Sequence, residues 1–407
     1  MKRTYLFCLL ILAAIALALS SLPAAQARGC AKNHRRASCR HRTRHCPRHR
    51  RRARRRQAHR HAKNRRNTCV RAHAASRKRG LGGGSGSGLQ LFAPNSVWNA
   101  PLSANAKLDP SSGVRMAALD SEIGNEVNQG IGPWITATSY STPFYVVSAT
   151  QPRVPVKLDG DDGWGDDLQH ALDEGVPIPP NAHPADGTDG HLTVYQPSSD
   201  SLWEFWRASK QSDGWHARWG GAMRNVSHNP GYYTNDAWPG LSPWQGFNWG
   251  STASSLPVIA GTIRLSDLRA GRIDHALAVA LPNTCSGRWS WPAQRSDGSS
   301  SDPNCIPEGA HIRLDPSLNL RQMGLPKITL ELAQAAQRYG MIVRDVTGHA
   351  FQFYGEDPTP QGGDPYDGPN GFFGGLPPWK FLPQFPWAHM QLVKMSWCSQ
   401  APCQQSP

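Results

Sequence analysis

Between residues 191 and 206 the chain alternates strictly. Leu192, Val194, Trp203 and Phe205 form one set of positions, all apolar; His191, Thr193, Tyr195, Leu202, Glu204 and Trp206 form the other. A period of two is the signature of β-strands. Pro197-Ser198-Ser199-Asp200 divides the two runs and predicts a four-residue hairpin loop. Pairing Gln196 with Ser201 sets the register, with Tyr195 opposite Leu202, Val194 opposite Trp203, Thr193 opposite Glu204 and His191 opposite Trp206. The apolar set is then a core face. The other face places an imidazole and a carboxylate diagonally adjacent, beside two aromatics.

Shorter runs predict strands at Phe144–Val147, Trp215–Trp219, Val258–Leu265, Ala276–Leu281, Ala310–Leu314, Met341–Val346 and Ala350–Tyr354. Helical spacing appears in Ser112–Gln129, through Val114, Ala117, Ala118, Ile123 and Val127. It appears again in Thr329–Tyr339, stopped by Gly340, and faintly in Trp164–Glu174. Many short strands between Gly/Pro turns predict a mainly β domain, a β-sandwich or jelly roll with a few peripheral helices.

The first 88 residues break this pattern. Lys2 and Arg3 precede a 14-residue apolar run, Leu6–Leu19, and Ala25-Gln26-Ala27 supplies small residues for cleavage, so residues 1–27 read as an export signal. Residues 28–79 are Arg/His-rich with almost nothing to bury, which predicts a disordered tail. Residues 80–88 are a Gly/Ser linker. A single β-rich domain is expected over 89–397, followed by a C-terminal tail, 398–407. No later stretch is long and apolar enough to span a bilayer, so a secreted protein, held at the cell surface or free, is expected.

Charge sharpens the division. The chain carries 44 Lys+Arg and 29 Asp+Glu, a net of +15. Residues 28–80 hold 22 of the basic residues and no acid, while 81–407 hold 20 basic and all 29 acidic residues, a net of −9. A uniformly basic nucleic-acid-binding domain is excluded. The tail predicts attraction to a polyanionic surface. Export also favours disulfides. Cys285 with Cys305 and Cys398 with Cys403 are the simplest pairs, each closing a local loop.

The candidate chemistry lies mostly around the hairpin. His191, Glu204 and Asp189 are catalytic candidates, and His275 joins them through the neighbouring Asp274. Tyr195, Trp206, Arg207, Arg218, Trp219 and Tyr232 are candidates for substrate binding. Seven tryptophans fall between Trp203 and Trp249, and the polar loop from Arg224 to Phe247 suits a cleft wall. No cofactor and no metal-ligand spacing is evident. The acidic loop Asp159–Asp167 has oxygen chemistry compatible with Ca²⁺ but lacks the EF-hand spacing, so a solvated loop is the default. G-x-S-x-G, P-loop, H-E-x-x-H and dinucleotide motifs are all missing from the sequence.

Five phrases carry a resemblance: Phe92-Ala-Pro-Asn-Ser-Val-Trp-Asn99, Thr188-Asp-Gly-His191, Leu202-Trp-Glu-Phe-Trp206, Gly271-Arg-Ile-Asp-His-Ala-Leu277 and Arg338-Tyr-Gly-Met-Ile-Val-Arg344. In these the chain resembles a group of secreted, mostly actinobacterial proteins. The resemblance spans about Leu89 to Pro360 and leaves out the basic tail. It implies export and a body that is one unit, and it assigns no activity and no catalytic residue.

Two functions compete on the residues alone. One is a carbohydrate-active enzyme, a glycoside hydrolase or polysaccharide lyase. In the hydrolase Glu204 pairs with Asp189 or Asp236; in the lyase His191 or His275 is the base, Tyr195 returns the proton and Arg207 or Arg218 neutralises a uronate. The other is a non-catalytic protein that binds polysaccharide or cell-envelope glycan through the same aromatics, tethered by its tail.

Overall fold

The computed structural model describes residues 89–160, 166–242 and 245–406. The expectations for residues 1–88, and for Asp161 and Asp162 of the acidic loop, lie outside the described residues. In chain order the elements are α1 (Ser112–Gln129), β1 (Trp134–Thr136), β2 (Thr142–Val146), β3 (Val156–Leu158), α2 (Asp166–Asp173), β4 (Leu192–Gln196) and β5 (Ser201–Trp206). There follow β6 (Ser209–Gln211), β7 (Gly214–Ala217), β8 (Trp219–Arg224), α3 (Leu265–Ala270), β9 (Leu277–Leu281), β10 (Trp289–Ser290) and β11 (His311–Leu314). The last are α4 (Lys327–Arg338), β12 (Met341–Val346), β13 (Gln352–Tyr354), β14 (Glu356–Asp357), α5 (Pro378–Phe381), β15 (Met390–Leu392) and β16 (Trp397–Cys398).

The fold is mainly sheet, with several sheets and few, mostly short helices. A six-stranded sheet runs β1-β13-β9-β12-β11-β15, and a five-stranded sheet runs β14-β2-β4-β5-β8. A three-stranded sheet, β3-β7-β6, and the pair β10-β16 complete it. Both large sheets are mixed: β1 pairs with β13 and β9 with β12 in parallel, as do β14 with β2 and β2 with β4. A jelly roll pairs its strands antiparallel, and these sheets depart from that pattern.

Side-chain alternation along β9 explains how the layers stack. Ala276, Ala278 and Ala280 join the cluster that contains Leu192, Val194 and Trp203. Leu277, Val279 and Leu281 join the opposite cluster, with Ile123 of α1 and Leu332 of α4. The six-stranded sheet is therefore buried on both faces, which is why β9 is a continuous apolar run.

The hairpin takes the register expected, Thr193 opposite Glu204 and Gln196 opposite Ser201. Its second face is covered as well, for Thr193, Leu202 and Glu204 are each 0% exposed. The cover is the segment 251–262, whose amides reach the Glu204 carboxylate. Part of that segment belongs to the expected strand Val258–Leu265, which instead forms turns leading into α3. Gly261 is the reason: its φ is +68°, and a Cβ there would strike Trp98 and the Ala278 amide. Cys285 pairs with Cys305 and Cys398 with Cys403, at Cα separations of 5.1 and 5.7 Å.

Candidate functional site

A cavity of about 530 Å³ opens at one end of the five-stranded sheet. The antiparallel order of β4, β5 and β8 brings the start of β4, the end of β5 and the start of β8 together there. Asp189 and His191 enter from the first, Trp206 from the second, Arg218 and Trp219 from the third. The turn before β4 is built to allow this. Gly190 takes φ +49°, and Arg207 and Ala208 donate backbone N–H bonds to the carbonyls of Asp189 and Gly190. The hairpin thus extends one rung past its regular strands.

Trp206 and Trp219 are direct cross-strand partners, so both side chains leave the same face of the sheet. Trp206 Nε1 lies 3.4 Å from Asp189 Oδ1, and the exposed Arg207 guanidinium lies 4.6 Å over the Trp206 ring. His191 Nδ1 is 3.4 Å from the Phe205 carbonyl oxygen, which favours the proton on Nδ1 and leaves Nε2 as the lone-pair nitrogen. Burial pushes the His191 pKa down to about 4, with Asp189 opposing and Arg344 assisting. The ring is neutral at physiological pH.

Three acids lie on the far side. Asp297 and Asp345 line the cavity, and one carboxylate oxygen from each of Asp297, Glu308 and Asp345 lies within 4.8 Å of the other two. Asp345 reaches this place through a register shift in β12, where Val343 pairs with Val279 and Asp345 with Ala280. The extra residue, Arg344, turns the next side chain off the strand's alternation. Burial raises the Asp345 pKa to about 7, Asp297 adds to the shift and Arg344 opposes it. Burial, then Asp345 and Asp297, push Glu308 well above the usual carboxylate range.

The remaining candidates lie elsewhere. Glu204 does not line the cavity. Its carboxylate accepts from the backbone N–H of Ser251 at 2.8 Å, the Ser251 hydroxyl at 3.1 Å and the N–H of Val258 at 2.8 Å. It positions the loop that supplies Ser251–Ala253 to the cavity wall. Tyr195 sits near the hairpin turn, where its hydroxyl donates to Asp200 at 3.0 Å. His275 faces Asp267, Nε2 to Oδ2 3.0 Å, while Asp274 bonds Arg272 at the surface. Tyr232 packs edge-on against Trp291 and lies outside the cavity. Asp236 is exposed on the loop after β8.

Asp297, Glu308, Asp345 and Arg295 escape a reading of the sequence, because no local spacing joins them. The nearest signals were the phrases Gln294-Arg-Ser-Asp-Gly298, inside the disulfide loop, and Val343-Arg-Asp345, at the end of an apolar strand. No protein-family model matches the chain, and neither a curated protein nor a solved structure matches it.

Proposed function

We propose that this cavity is the working site of an exported carbohydrate-active enzyme that cleaves an acidic polysaccharide, with His191 and Asp189 as its acid–base pair. One observation carries the reading: a His–Asp pair, a platform of two paired tryptophans and an arginine converge at one sheet end, in one cavity. Indole faces suit the apolar faces of pyranose rings. Arg218, with Arg207 over the Trp206 ring, suits a uronate carboxylate. A neutral imidazole is in the right form to take a proton.

In a lyase His191 removes the proton beside the uronate carboxylate. Those electrons form the new double bond, the glycosidic C–O bond breaks, and the imidazolium returns its proton to the departing oxygen. In a hydrolase two carboxyl groups across the cavity share the work, and Asp189 is one of them. Export is supported by the signal-like residues 1–27 and by two disulfides in the body. The basic residues 28–79 suit retention on a polyanionic envelope polymer.

A panel of acidic polysaccharides tests this. New reducing ends with unsaturated-uronate absorbance indicate a lyase, and reducing ends alone a hydrolase. His191→Ala and Asp189→Asn each lower turnover by about 10²-fold or more. A glycan bound with neither product formed would leave a non-catalytic binding protein. Unchanged turnover in both variants would remove the site. A chain lacking residues 28–88 keeps turnover and loses salt-sensitive retention on cell-wall material; equal retention would remove the tail's role.

A further inference from the structure

We propose that Asp297, Glu308 and Asp345 bind a divalent cation, calcium by preference, at the edge of the cavity. Their three facing oxygens lie within 4.8 Å of one another. Donors that are all anionic oxygens select hard cations. Oxygens at this spacing can meet one ion at about 2.3–2.6 Å, the calcium–oxygen distance, longer than the roughly 2.0–2.1 Å that magnesium demands.

Glu308 supplies a second, independent observation. Its side chain is fully buried, and neither carboxylate oxygen makes a full hydrogen bond among the described residues, its polar neighbours being the Ser296 hydroxyl and the Asp297 carboxyl. An unpaired buried carboxyl is costly and rare, and an ion is one of the few things that resolve it. The neighbouring arginines, Arg295 and Arg344, offset part of the negative charge but direct their hydrogen bonds elsewhere. Arg295 directs Nε to the Ala253 carbonyl and its Nη atoms to the carbonyls of Asn248, Gly250 and Thr252. Arg344 directs Nη1 to the carbonyls of Val258 and Ala260. None of these described bonds reaches the three carboxylates.

The backbone is shaped to deliver them. Asp297 lies inside the loop closed by Cys285 and Cys305. Glu308 precedes Gly309, whose φ is +80° and where a Cβ would collide with the Ser290 carbonyl. Asp345 follows the irregularity in β12. Asp297 is exposed, so an ion can enter from solvent and keep positions open toward the cavity. The site stands on its own geometry, whether or not the cavity cleaves glycans.

The experiment uses the full chain, stripped with EDTA and dialysed, then titrated calorimetrically with CaCl₂, MgCl₂ and MnCl₂ and melted with and without each ion. Calcium is expected to bind one per chain and to raise Tm by about 5 °C at a hundredfold excess over Kd. Glu308→Gln and Asp297→Asn each weaken binding tenfold or more. Glu308→Gln also melts no lower than ion-free wild type, because it replaces a buried, unpaired carboxyl with a neutral group of the same shape, so its lost binding is not unfolding. Asp297 is exposed, and its substitution provides a second check that does not touch the core. No binding of any of the three ions at millimolar concentration overturns the proposal, as does calcium binding that survives both substitutions. Tighter binding of magnesium or manganese supports the site and overturns the choice of ion.

Discussion

Asp267 accepts from four donors in a place nearly closed to solvent: the backbone N–H, Nε and Nη2 of Arg264, and Nε2 of His275. Burial works to raise its pKa. His275 and then Arg264 outweigh burial and hold it at about 2, against 3.8 ordinarily. A carboxyl whose folded pKa is depressed stabilises the fold above its unfolded pKa. That contribution is lost as pH falls from about 4 through about 2, and it amounts to roughly 2 kcal/mol. Asp267→Asn should therefore be less stable than wild type at pH 6, and its Tm should fall less steeply between pH 4 and 2. Parallel Tm–pH curves for the two proteins would refute the assignment. The same geometry gives His275 a structural task. Its local sequence, with Asp274 beside it, could not announce that, because the true partner lies eight residues back across the end of α3.

At the scale of elements, His216 on β7 is a clasp for the smallest of the longer sheets. Nδ1 lies 2.6 Å from Asp159, just past β3, and Nε2 3.0 Å from Asp213, in the turn between β6 and β7. Lys157 of β3 closes the ring on Asp213 at 2.6 Å. The hydrogen bond to Asp159 raises the His216 pKa above 6.5, burial opposes it and Asp213 adds to it. A raised histidine stabilises below its unfolded pKa, and the contribution disappears as pH rises through the folded one. Amide exchange in Val156–Leu158 should accelerate from pH 6 to pH 9 beyond the intrinsic rate, and His216→Gln should abolish that excess. An NMR titration placing His216 at or below 6.5 would sink the idea.

Elements differ in how far they could be read beforehand. The β4–β5 register was legible because a period of two and a Pro-Ser-Ser-Asp turn fix it locally. The ends of α1 were legible through its helical period. What closed over Glu204 was not, since alternation cannot tell a solvated face from one covered by a loop fifty residues on. The cavity's acids were hidden for a related reason: a bulge in β12 and a disulfide loop bring them together, and neither leaves a periodic trace. His191, Asp189 and Trp206 were visible only because they sit on the hairpin itself.

For the whole molecule, the acidic body depends on covalent closure where its sheets give least support. Residues 286–304 form mostly turns and extended chain with only the short β10, yet they carry Arg295 and Asp297 to the cavity. Cys285–Cys305 closes this segment over a sequence separation of 20, and Cys403 holds it from outside through paired hydrogen bonds with Gln294. Closing a loop of that length is worth about 3 kcal/mol through the unfolded chain. If that were its whole effect, Cys285→Ser/Cys305→Ser would lower Tm and leave native-state fluctuations alone. The loop's backbone bonds are sparse and concentrated in its first half: Cys285 and Ser286 bond to Ile306 and Ser300 at the mouth, and Ser290, Trp291 and Gln294 bond to Glu308, Ser396 and Ser254. The double variant should therefore exchange its amides between 286 and 304 at least tenfold faster under native conditions, while β9 and β12 keep their protection. Lower Tm with unchanged exchange in the segment would show that the bridge acts through the unfolded state alone, and that Asp297 is held in place by packing rather than by the covalent loop.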